Sequence, residues 1–388
     1  MSEAEQPGGP AVMPVTTAAD GRDEPLTVLC LTNMWPGPDA PDFGSFVSDM
    51  CDALRNRGAV VDVAAIDRRG GGPLRTPAKY GRLLADAVKR ARRVDVIYAH
   101  YIFPTGAIAA IAGRLSGRPV VLTAHGQDVA NLDRRALRRA SASALRGAHS
   151  LIAVSHYLAQ ALERTELGPR PIHVVNMGVD MDRFTPGDRT EARRRLGIAE
   201  EGPIVLAVGG LTTRKNPLTL LQAFARLRAD RPDARLVYVG DGPQAATIDA
   251  GVRHLVLGDA VIRTGALPHA DVGDWVEACD VLAMVSRVEP LGVAALEGLA
   301  GGRPVVVTEV GGAKEIVPDP DAGRVVNPAD PSAIAAALNA VLTDPPSPEA
   351  CRAAAEPHSI TNQAERVEAI LREAAGTGRD DSTESAPA

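Results

Sequence analysis

The pattern that most constrains this chain is an alternation of short β-branched runs with longer helical segments, which occurs twice in succession. Alternation of this kind is typical of βαβ units, whose strands join a parallel sheet. We predict strands at 26–31, 60–65, 94–99, 120–123, 151–154 and 172–175, then at 204–208, 236–239, 261–263, 281–284, 305–308 and near Val325. The sequence therefore predicts the α/β class, with two tandem Rossmann-like domains that face each other across a cleft.

A seam rich in proline and charge separates the two sets of strands. It follows the segment Asn176-Met177-Gly178-Val179-Asp180 and contains Pro186. A chain of 388 residues is long enough for roughly two or three domains, each with its own core. We predict a disordered leader over 1–24, a first domain over 25–180, a second over 181–347, a closing helix over 348–375 that crosses back to the first domain, and a disordered tail over 376–388.

Composition excludes several classes of protein. The chain is 45% hydrophobic and 23% charged, and it has no apolar run long enough to span a bilayer. Its formal net charge of -6 argues against a general nucleic-acid binder, which is usually strongly basic. The four cysteines lack the short spacings of metal sites, so we interpret them as the reduced thiols of a cytoplasmic protein.

Two glycine-containing loops in the first half follow predicted strands. Phe43-Gly44 enters a helix, where a glycine lets the backbone approach a phosphate. His125-Gly126-Gln127-Asp128 follows the strand at 120–123, at the end of the sheet where open α/β folds bind ligands. A simple turn, for the first loop, and a helix cap or core histidine, for the second, stay open as alternatives.

One loop in the second half carries a rare lysine. Gly209-Gly210-Leu211-Thr212-Thr213-Arg214-Lys215 follows the strand at 204–208 and precedes a helix. The chain has four lysines among 42 basic residues, which leaves 38 arginines, so Lys215 stands out as a point charge suited to a phosphate oxygen. A solvated loop lysine is the alternative.

The strongest single motif is a pair of glutamates, Glu289 and Glu297, eight positions apart. On one ideal helix this separation turns the two side chains about 80° apart, so a shared helix face does not explain it. A helix that begins at Gly292 does, because Glu289 then lies in the preceding loop, the first amides point at an anion, and Glu297 lies further along the helix. Two solvated glutamates at a helix start are the alternative.

Taken in order, these motifs resemble the retaining family-four glycosyltransferases, which have the GT-B fold of two Rossmann domains. The set comprises Phe43-Gly44, His125-Gly126-x-Asp128, Asn176-x-Gly178-x-Asp180, Lys215 after a glycine-rich turn, Gly240-Asp241-Gly242-Pro243, Glu289-x7-Glu297 and Val310-Gly311-Gly312. The resemblance covers roughly residues 26–375.

The resemblance implies a nucleotide-sugar donor, bound mainly on the second domain. It places Glu297 at the ribose hydroxyls, the backbone near Leu267 at the base, and Glu289 at hydroxyls of the transferred sugar. His125 would stand near the reacting centre, and Asp128 would support its loop or the acceptor. The diphosphate would be held by Lys215, the Gly44 amide and the amides of Gly292, Val293 and Ala294, and Gly209 and Leu291 complete the implied donor-binding set. Glu289, His125 and Lys215 form the predicted catalytic set.

The sequence departs from the family pattern at one position. Members often have an arginine directly after the glycine that corresponds to Gly209, as a second clamp on the diphosphate, and this chain has Gly210 there. Arg214 is the candidate substitute.

The implied mechanism is retention by front-face attack. Cleavage at the anomeric carbon places negative charge on the leaving diphosphate, which cations and helix-end amides stabilise. The leaving phosphate would help to take the acceptor's proton, with no cofactor and no metal ion. A covalent double displacement stays open. Two Asp-x-Asp elements, Asp180-Met181-Asp182 and Asp319-Pro320-Asp321, formally fit a metal-dependent transferase, but we discount them because they lie in the seam and in a proline-rich turn.

The expected partners are a nucleotide sugar carrying UDP or GDP and a hydroxyl acceptor, with no nucleic acid. A sugar-nucleotide epimerase and a non-catalytic scaffold are the alternatives, since fold alone does not decide chemistry. The product would belong to envelope polysaccharide, glycolipid or natural-product synthesis. Two basic clusters, at 89–93 and 134–139, predict a weak peripheral contact with the inner face of the cell membrane, with solvated helix faces as the alternative.

Overall fold

The computed structural model describes residues 24–37, 43–67, 75–165, 167–168, 171–318 and 320–380. Residues 1–23 and 381–388, which hold nearly all of the predicted leader and most of the predicted tail, lie outside the described residues. The strands of the described part are β1 Thr27–Thr32, β2 Val60–Ala65, β3 Val96–His100, β4 Val120–Ala124, β5 Ser150–Ala153, β6 Ile172–Val174, β7 Ile204–Val208, β8 Arg235–Val239, β9 Val261–Gly265, β10 Val281–Met284, β11 Val305–Thr308 and β12 Gly323–Val326.

These strands form two six-stranded parallel sheets, ordered β2-β1-β3-β4-β5-β6 and β12-β11-β10-β7-β8-β9. The inner strands are buried almost throughout, because helices cover both faces of each sheet, and this is why they read as continuous apolar runs. The edge strands β2, β6 and β9 are partly exposed. The predicted α/β class with two Rossmann-like halves is confirmed, and each predicted strand has its counterpart. The exact domain boundaries stay predictions.

The α-helices of the described part connect the strands in the usual crossover manner. They are α1 Ser45–Asn56, α2 Arg75–Ala91, α3 Ala107–Ser116, α4 Gln127–Ala130, α5 Arg135–Gly147, α6 His156–Glu163, α7 Arg189–Arg195, α8 Pro217–Asp230, α9 Ala245–His254, α10 His269–Ala278, α11 Val293–Ala300, α12 Pro331–Thr343, α13 Pro348–Ala355 and α14 Ile360–Asp380. Within the described ranges, no helix is both long and apolar enough to cross a bilayer.

Local sequence explains where several of these helices begin. The carboxylate of Asp330 accepts hydrogen bonds from the amides of Ser332 and Ala333, and Pro331 occupies the first turn, so α12 begins there. Ser155 caps α6 by accepting a hydrogen bond from the amide of Leu158. A polar side chain that satisfies the free amides of the first turn is the ordinary start signal of a helix.

The last helix packs against the first sheet. α14 contacts α1, β3 and β4 and buries Ala364, Val367 and Leu371. Glu368 on this helix pairs with Arg57, at 2.6 Å between Oε2 and Nε. The helix continues to Asp380, so the predicted boundary between closing helix and tail at 375 falls inside it.

Candidate active site

The loop after β7 places a lysine over a glycine turn. Gly209 has a φ of 130°, which a residue with a side chain rarely adopts, and its amide donates to the carbonyl of Val239. A Cβ built at Gly209 would lie 3.6 Å from Cε of Lys215. That distance is an ordinary contact, so the backbone conformation, and not the space, calls for glycine at this position, against which the lysine side chain lies.

Glu289 is buried, with 6% of its surface exposed, and forms an ion pair with Lys215. Its Oε2 lies 2.7 Å from Nζ of Lys215 and accepts a hydrogen bond of 2.8 Å from Oγ of Ser286. Burial alone would raise the pKa of Glu289, but Lys215, Arg214 and Ser286 together hold this pKa below its usual value. The carboxylate is therefore ionised and held in place at neutral pH.

Arg214 lies beside the same carboxylate. Its NH1 atom is 3.8 Å from Oε2 of Glu289 and 3.5 Å from the carbonyl oxygen of Val288. The side chain is 46% exposed, so it is open to a ligand on one side. Two cations thus stand next to one carboxylate, and Arg214 stays the predicted substitute for the arginine missing at Gly210.

The helix that follows Glu289 begins as expected from the sequence. Gly292 caps α11 in the left-handed conformation, with φ 105°, and no side chain caps this end. A Cβ at Gly292 would also displace Cε of Met284, the end of a flexible side chain, so the positive φ is the main reason for glycine here. The amides at Val293 and Ala294 belong to the first turn, whose N–H groups have no partner within the helix and attract anions. Leu291, just before this turn, is buried.

Glu297 lies further along α11 and is 4% exposed. Its Oε1 is 2.7 Å from Nε2 of His269, the first residue of α10. Nδ1 of His269 faces NH1 of Arg183 at 3.0 Å and Oδ2 of Asp49 at 3.7 Å. Half-buried Leu267 lies two residues before this histidine.

Opposing effects act on His269. Burial would lower its pKa, but the hydrogen bond and charge of Glu297, together with the charge of Asp49, raise the pKa above its usual value despite the nearby charge of Arg183. Phe184 also packs against the ring, at 5.8 Å between centroids. Glu297 and Asp49 thus raise the pKa of His269 within a network that joins α1, the segment between the two sheets, α10 and α11.

His125 projects from the first half into a cluster of rings. Its ring lies 5.3 Å from that of His100, 5.7 Å from that of Tyr101 and 5.2 Å from that of Phe46, measured between centroids. Burial among these rings lowers the pKa of His125 to about 3. The imidazole is therefore neutral at physiological pH.

Asp128 organises the loop that carries this histidine. It is 2% exposed, and its oxygens accept hydrogen bonds from the amides of Ile102, His125, Gly126 and Val129. Burial raises the pKa of Asp128, against the opposing effect of these amides. Of the two roles expected for Asp128, the geometry favours support of the loop.

Gly44 lies at the start of α1, where its φ is 78°. A Cβ at this position would lie 2.5 Å from the carbonyl oxygen of Met34, so the loop after β1 packs directly against the helix start. Two residues further on, Phe46 reaches the ring of His125. Gly44 is thereby connected to the histidine loop.

The two halves meet at the predicted site. A Cβ at Gly126 would lie 2.3 Å from Cγ of Pro290, so the histidine loop touches the residue next to Glu289. The carboxylate of Glu315 crosses in the other direction and accepts hydrogen bonds of 2.8 Å from the amides of His156 and Tyr157, at the start of α6. Side chains from both sheets therefore share one cleft.

Neither Asp-x-Asp element gains support from the geometry. Asp180 accepts hydrogen bonds from the amides of Asp182 and Arg183 through Oδ1, so it stabilises a turn between the two halves. Asp319 lies outside the described residues.

Several residues of the cleft carry no sequence signal that we interpreted. His100, Arg183, His269, Ser286 and Glu315 each contact a predicted site residue or bridge the two halves. His100 ends β3, Ser286 lies two residues after β10 and His269 follows β9, and a polar residue just after a predicted strand was the available clue. Arg183 and Glu315 have no such mark.

Two facing Rossmann sheets with charged loops at their adjoining ends define the GT-B class of glycosyltransferases. The family model described as Glycosyl transferases group 1 matches residues 188–358, and that described as Glycosyltransferase Family 4 matches residues 27–183. The chain belongs to this glycosyltransferase family.

Curated relatives and solved structures agree with this assignment. The D-inositol 3-phosphate glycosyltransferase of Geodermatophilus obscurus is 35% identical over 269 residues, which are 64% of this chain and 59% of that protein. D-inositol 3-phosphate glycosyltransferase 1 of Catenulispora acidiphila is 30% identical, with 78% of each chain covered. Anabaena Alr3699/HepE in complex with UDP-glucose superposes with a TM-score of 0.73 at 22% identity, over 90% of this chain and 100% of that one, which shows the shared fold.

Proposed function

We propose that this glycosyltransferase moves a sugar from a nucleoside-diphosphate sugar to a hydroxyl acceptor with retention and without a metal ion. The observation that carries the proposal is the ion pair between half-buried Lys215 and buried Glu289. Glu289 lies three residues before Gly292, which caps the start of α11. A cation and free helix amides suit a diphosphate, and a fixed carboxylate suits the hydroxyls of a sugar. A nucleotide-sugar donor contains both a diphosphate and a sugar.

The other residues of the cleft would contact the remaining groups of the donor. Lys215, Arg214 and the amides of the first turn of α11 would stabilise the charge that grows on the leaving diphosphate. Glu297 would accept hydrogen bonds from the ribose, beside the base at Leu267. The Gly44 amide would hold the diphosphate from the opposite half, and neutral His125 would donate or accept a hydrogen bond at the reacting sugar.

The cations of the cleft, Lys215 and Arg214, support a nucleoside-diphosphate donor. Solved relatives of the same fold are described in complex with UDP and UDP-glucose, and another, starch synthase IV of Arabidopsis thaliana, with ADP. We propose UDP or GDP as the nucleotide. The curated relatives are named for D-inositol 3-phosphate, so this compound belongs in the first acceptor panel.

A thermal-shift panel tests the donor site. A ligand that binds only the folded protein raises the unfolding midpoint. We expect one nucleoside diphosphate and its sugar, among UDP, GDP and ADP compounds without added metal, to raise the midpoint, and Glu297→Gln to abolish the rise. Glu309→Gln is the matched control, because Glu309 is an exposed carboxylate of the same half. No response of the folded protein to any compound would contradict the donor site.

Product analysis then separates the enzyme classes. A transferase needs an acceptor, whereas an epimerase converts the donor alone. Epimerised donor without acceptor would favour the epimerase, and tight nucleotide binding without any turnover would favour the scaffold.

We also propose that the first half touches an anionic membrane surface through α2, α3 and α5. Residues 75–147 contain 14 Lys and Arg against four Asp and Glu, a net +10 in a chain whose total is -6. α3 packs between the other two helices and exposes Ile111 and Leu115, at 47% and 57%. Apolar side chains flanked by arginines are the ordinary composition of a peripheral membrane contact.

Cosedimentation tests this contact. Vesicles of phosphatidylglycerol and phosphatidylcholine at low salt should bind the protein, and replacement of Arg135, Arg138 and Arg139 by serine should weaken binding. The matched control replaces three exposed arginines of the second half, namely Arg194, Arg226 and Arg253. Equal binding by both triple variants, or none by the unmodified protein, would contradict the contact.

A further inference from the structure

His100 is a buried imidazole with one unpaired nitrogen. The residue is 0% exposed at the end of β3, and its Nδ1 lies 3.1 Å from Nε2 of His125. Within the described part of the chain, its Nε2 is buried without a hydrogen-bond partner. An unsatisfied buried polar group is destabilising, so stability alone would favour an apolar residue at this position.

We infer that His100 is a positioning residue, which holds the ring of His125 through the bond between its Nδ1 and Nε2 of His125. The inference rests on the proposed function, in which His125 meets the reacting sugar. With Nε2 engaged, Nδ1 is the ring nitrogen of His125 left for a ligand, and no hydrogen bond within the described residues engages it.

Other contacts already restrict the position of the His125 side chain, and the bond to His100 restricts the remaining rotation of its ring. The rings of Tyr101 and Phe46 contact it from two further directions, and Asp128 fixes its backbone amide. Tyr101 itself has a φ of 78°, an uncommon conformation for a residue with a side chain. The ring contacts set where His125 lies, and the bond to His100 sets how its ring is turned.

The short distance also couples the tautomers of the two rings. Both imidazoles are neutral, because burial lowers the pKa of His100 well below its usual value and that of His125 to about 3. Across 3.1 Å one nitrogen donates and the other accepts. If His100 carries its proton on Nδ1, His125 must also carry it on Nδ1, and if His125 carries it on Nε2, so must His100. The two rings therefore share the same tautomer.

Nitrogen NMR of the ligand-free protein with labelled histidine tests this coupling directly. Spectra that correlate ring protons with ring nitrogens distinguish the two tautomers, and single His variants assign the signals. We expect both rings to show one tautomer, and His125, whose pKa burial lowers to about 3, to stay neutral down to about pH 4. Unlike tautomers, or a titration of His125 near its ordinary pKa, would overturn the inference.

Two substitutions test the consequence for turnover. His100→Asn keeps a hydrogen-bonding atom near the position of Nδ1, whereas His100→Leu fills similar space without one. Turnover is the release of nucleoside diphosphate from the donor that the thermal-shift panel selects. We expect His100→Leu to lower kcat by up to about 100-fold with KM little changed, the scale expected for a misplaced catalytic group, and His100→Asn to recover most of it.

Stability and a double variant distinguish positioning from a structural role. His100→Leu should keep or raise the unfolding midpoint, because it removes a buried unpaired nitrogen, and it should cost no further turnover in a His125→Ala background. Full turnover of His100→Leu, or a midpoint that falls in both His100 variants, would overturn the inference. If no donor is turned over by the unmodified protein, the proposed function fails while the NMR result still decides the histidine pair.

Discussion

Nζ of Lys215 lies 2.7 Å from Oε2 of Glu289, and the fold leaves that carboxylate only 6% exposed. The cleft thus contains a cation and an anion that neutralise each other. A carboxylate buried without its cation would be costly, so each partner holds the other in place. A diphosphate that enters beside Lys215 would share this cation with Glu289.

Removal of the lysine should therefore damage turnover. We expect Lys215→Met to lower kcat by about 100- to 1,000-fold, the scale seen when one preorganised donor to a developing negative charge is lost. The control is Lys314→Met, since Lys314 is an exposed lysine of the same half. Steady-state release of nucleoside diphosphate measures both, and near-normal turnover of Lys215→Met would show that the diphosphate lies elsewhere.

The ion pair of Lys215 and Glu289 should also make the free energy of unfolding depend on pH in the acidic range. Lys215 helps to hold the pKa of Glu289 below its unfolded value, so the pair contributes stability above that value and loses it as pH falls through the folded pKa. The difference in unfolding free energy between the unmodified protein and Lys215→Met should thus be largest near pH 7 and shrink below about pH 4. Urea unfolding across this range measures it, and a difference independent of pH would refute the pairing.

His269 should give stability the opposite dependence on pH. Its pKa is raised by Glu297 and Asp49, so its contribution to stability is complete below the unfolded pKa and is lost as pH rises through the folded one. His269→Gln should therefore lower the unfolding midpoint by more at pH 5.5 than at pH 8.5. His254→Gln, at the exposed end of α9, should show no such trend. A loss that grows with pH would contradict the network.

Gly292 should tolerate no side chain. Alanine there would adopt a φ of 105° and meet Cε of Met284 at 2.4 Å, so we expect a loss of about 1–3 kcal/mol and weaker nucleotide binding. Gly258→Ala is the control, because Gly258 also has a positive φ, of 51°, but a Cβ there meets nothing within 4 Å. Denaturant melts and nucleotide titrations measure both effects, and equal nucleotide affinity in the two variants would count against an anion site at α11.

Glu315 should couple the two halves. Glu315→Ala removes the carboxylate that caps the amides of His156 and Tyr157, so these amides should exchange faster with solvent. The loss of one capping side chain is worth roughly 0.5–2 kcal/mol. Hydrogen exchange with peptide resolution measures the change, and Glu309→Ala serves as the control. Unchanged protection at the start of α6 would mean that the contact does not hold the halves together.

Much of the fold was predictable because its signals are local. Strands buried in parallel sheets need continuous runs such as Ile204–Val208, and a glycine where a loop enters a helix marks a start such as that of α11 at Gly292. The histidine, lysine and glutamate motifs could be placed at the ends of strands for the same reason. Their roles in the reaction stay predictions.

The contacts of the site were not predictable in the same way. His100 lies 25 positions from His125, Arg183 lies 134 from Asp49, and Glu315 lies 159 from the amide of His156 that it caps. No periodicity or turn residue connects such partners. They meet only because the packing of the two sheets and their helices brings distant segments together.

The sequence by itself determined two parallel sheets, the order of the loops at their carboxyl ends and the kinds of side chain that those loops carry. Only the tertiary structure decided which of these side chains touch: Lys215 with Glu289, His269 with Glu297, and His100 with His125. The physical reason is that secondary structure follows from neighbours along the chain. A buried ion pair or a shared proton depends on distances between atoms that packing alone sets.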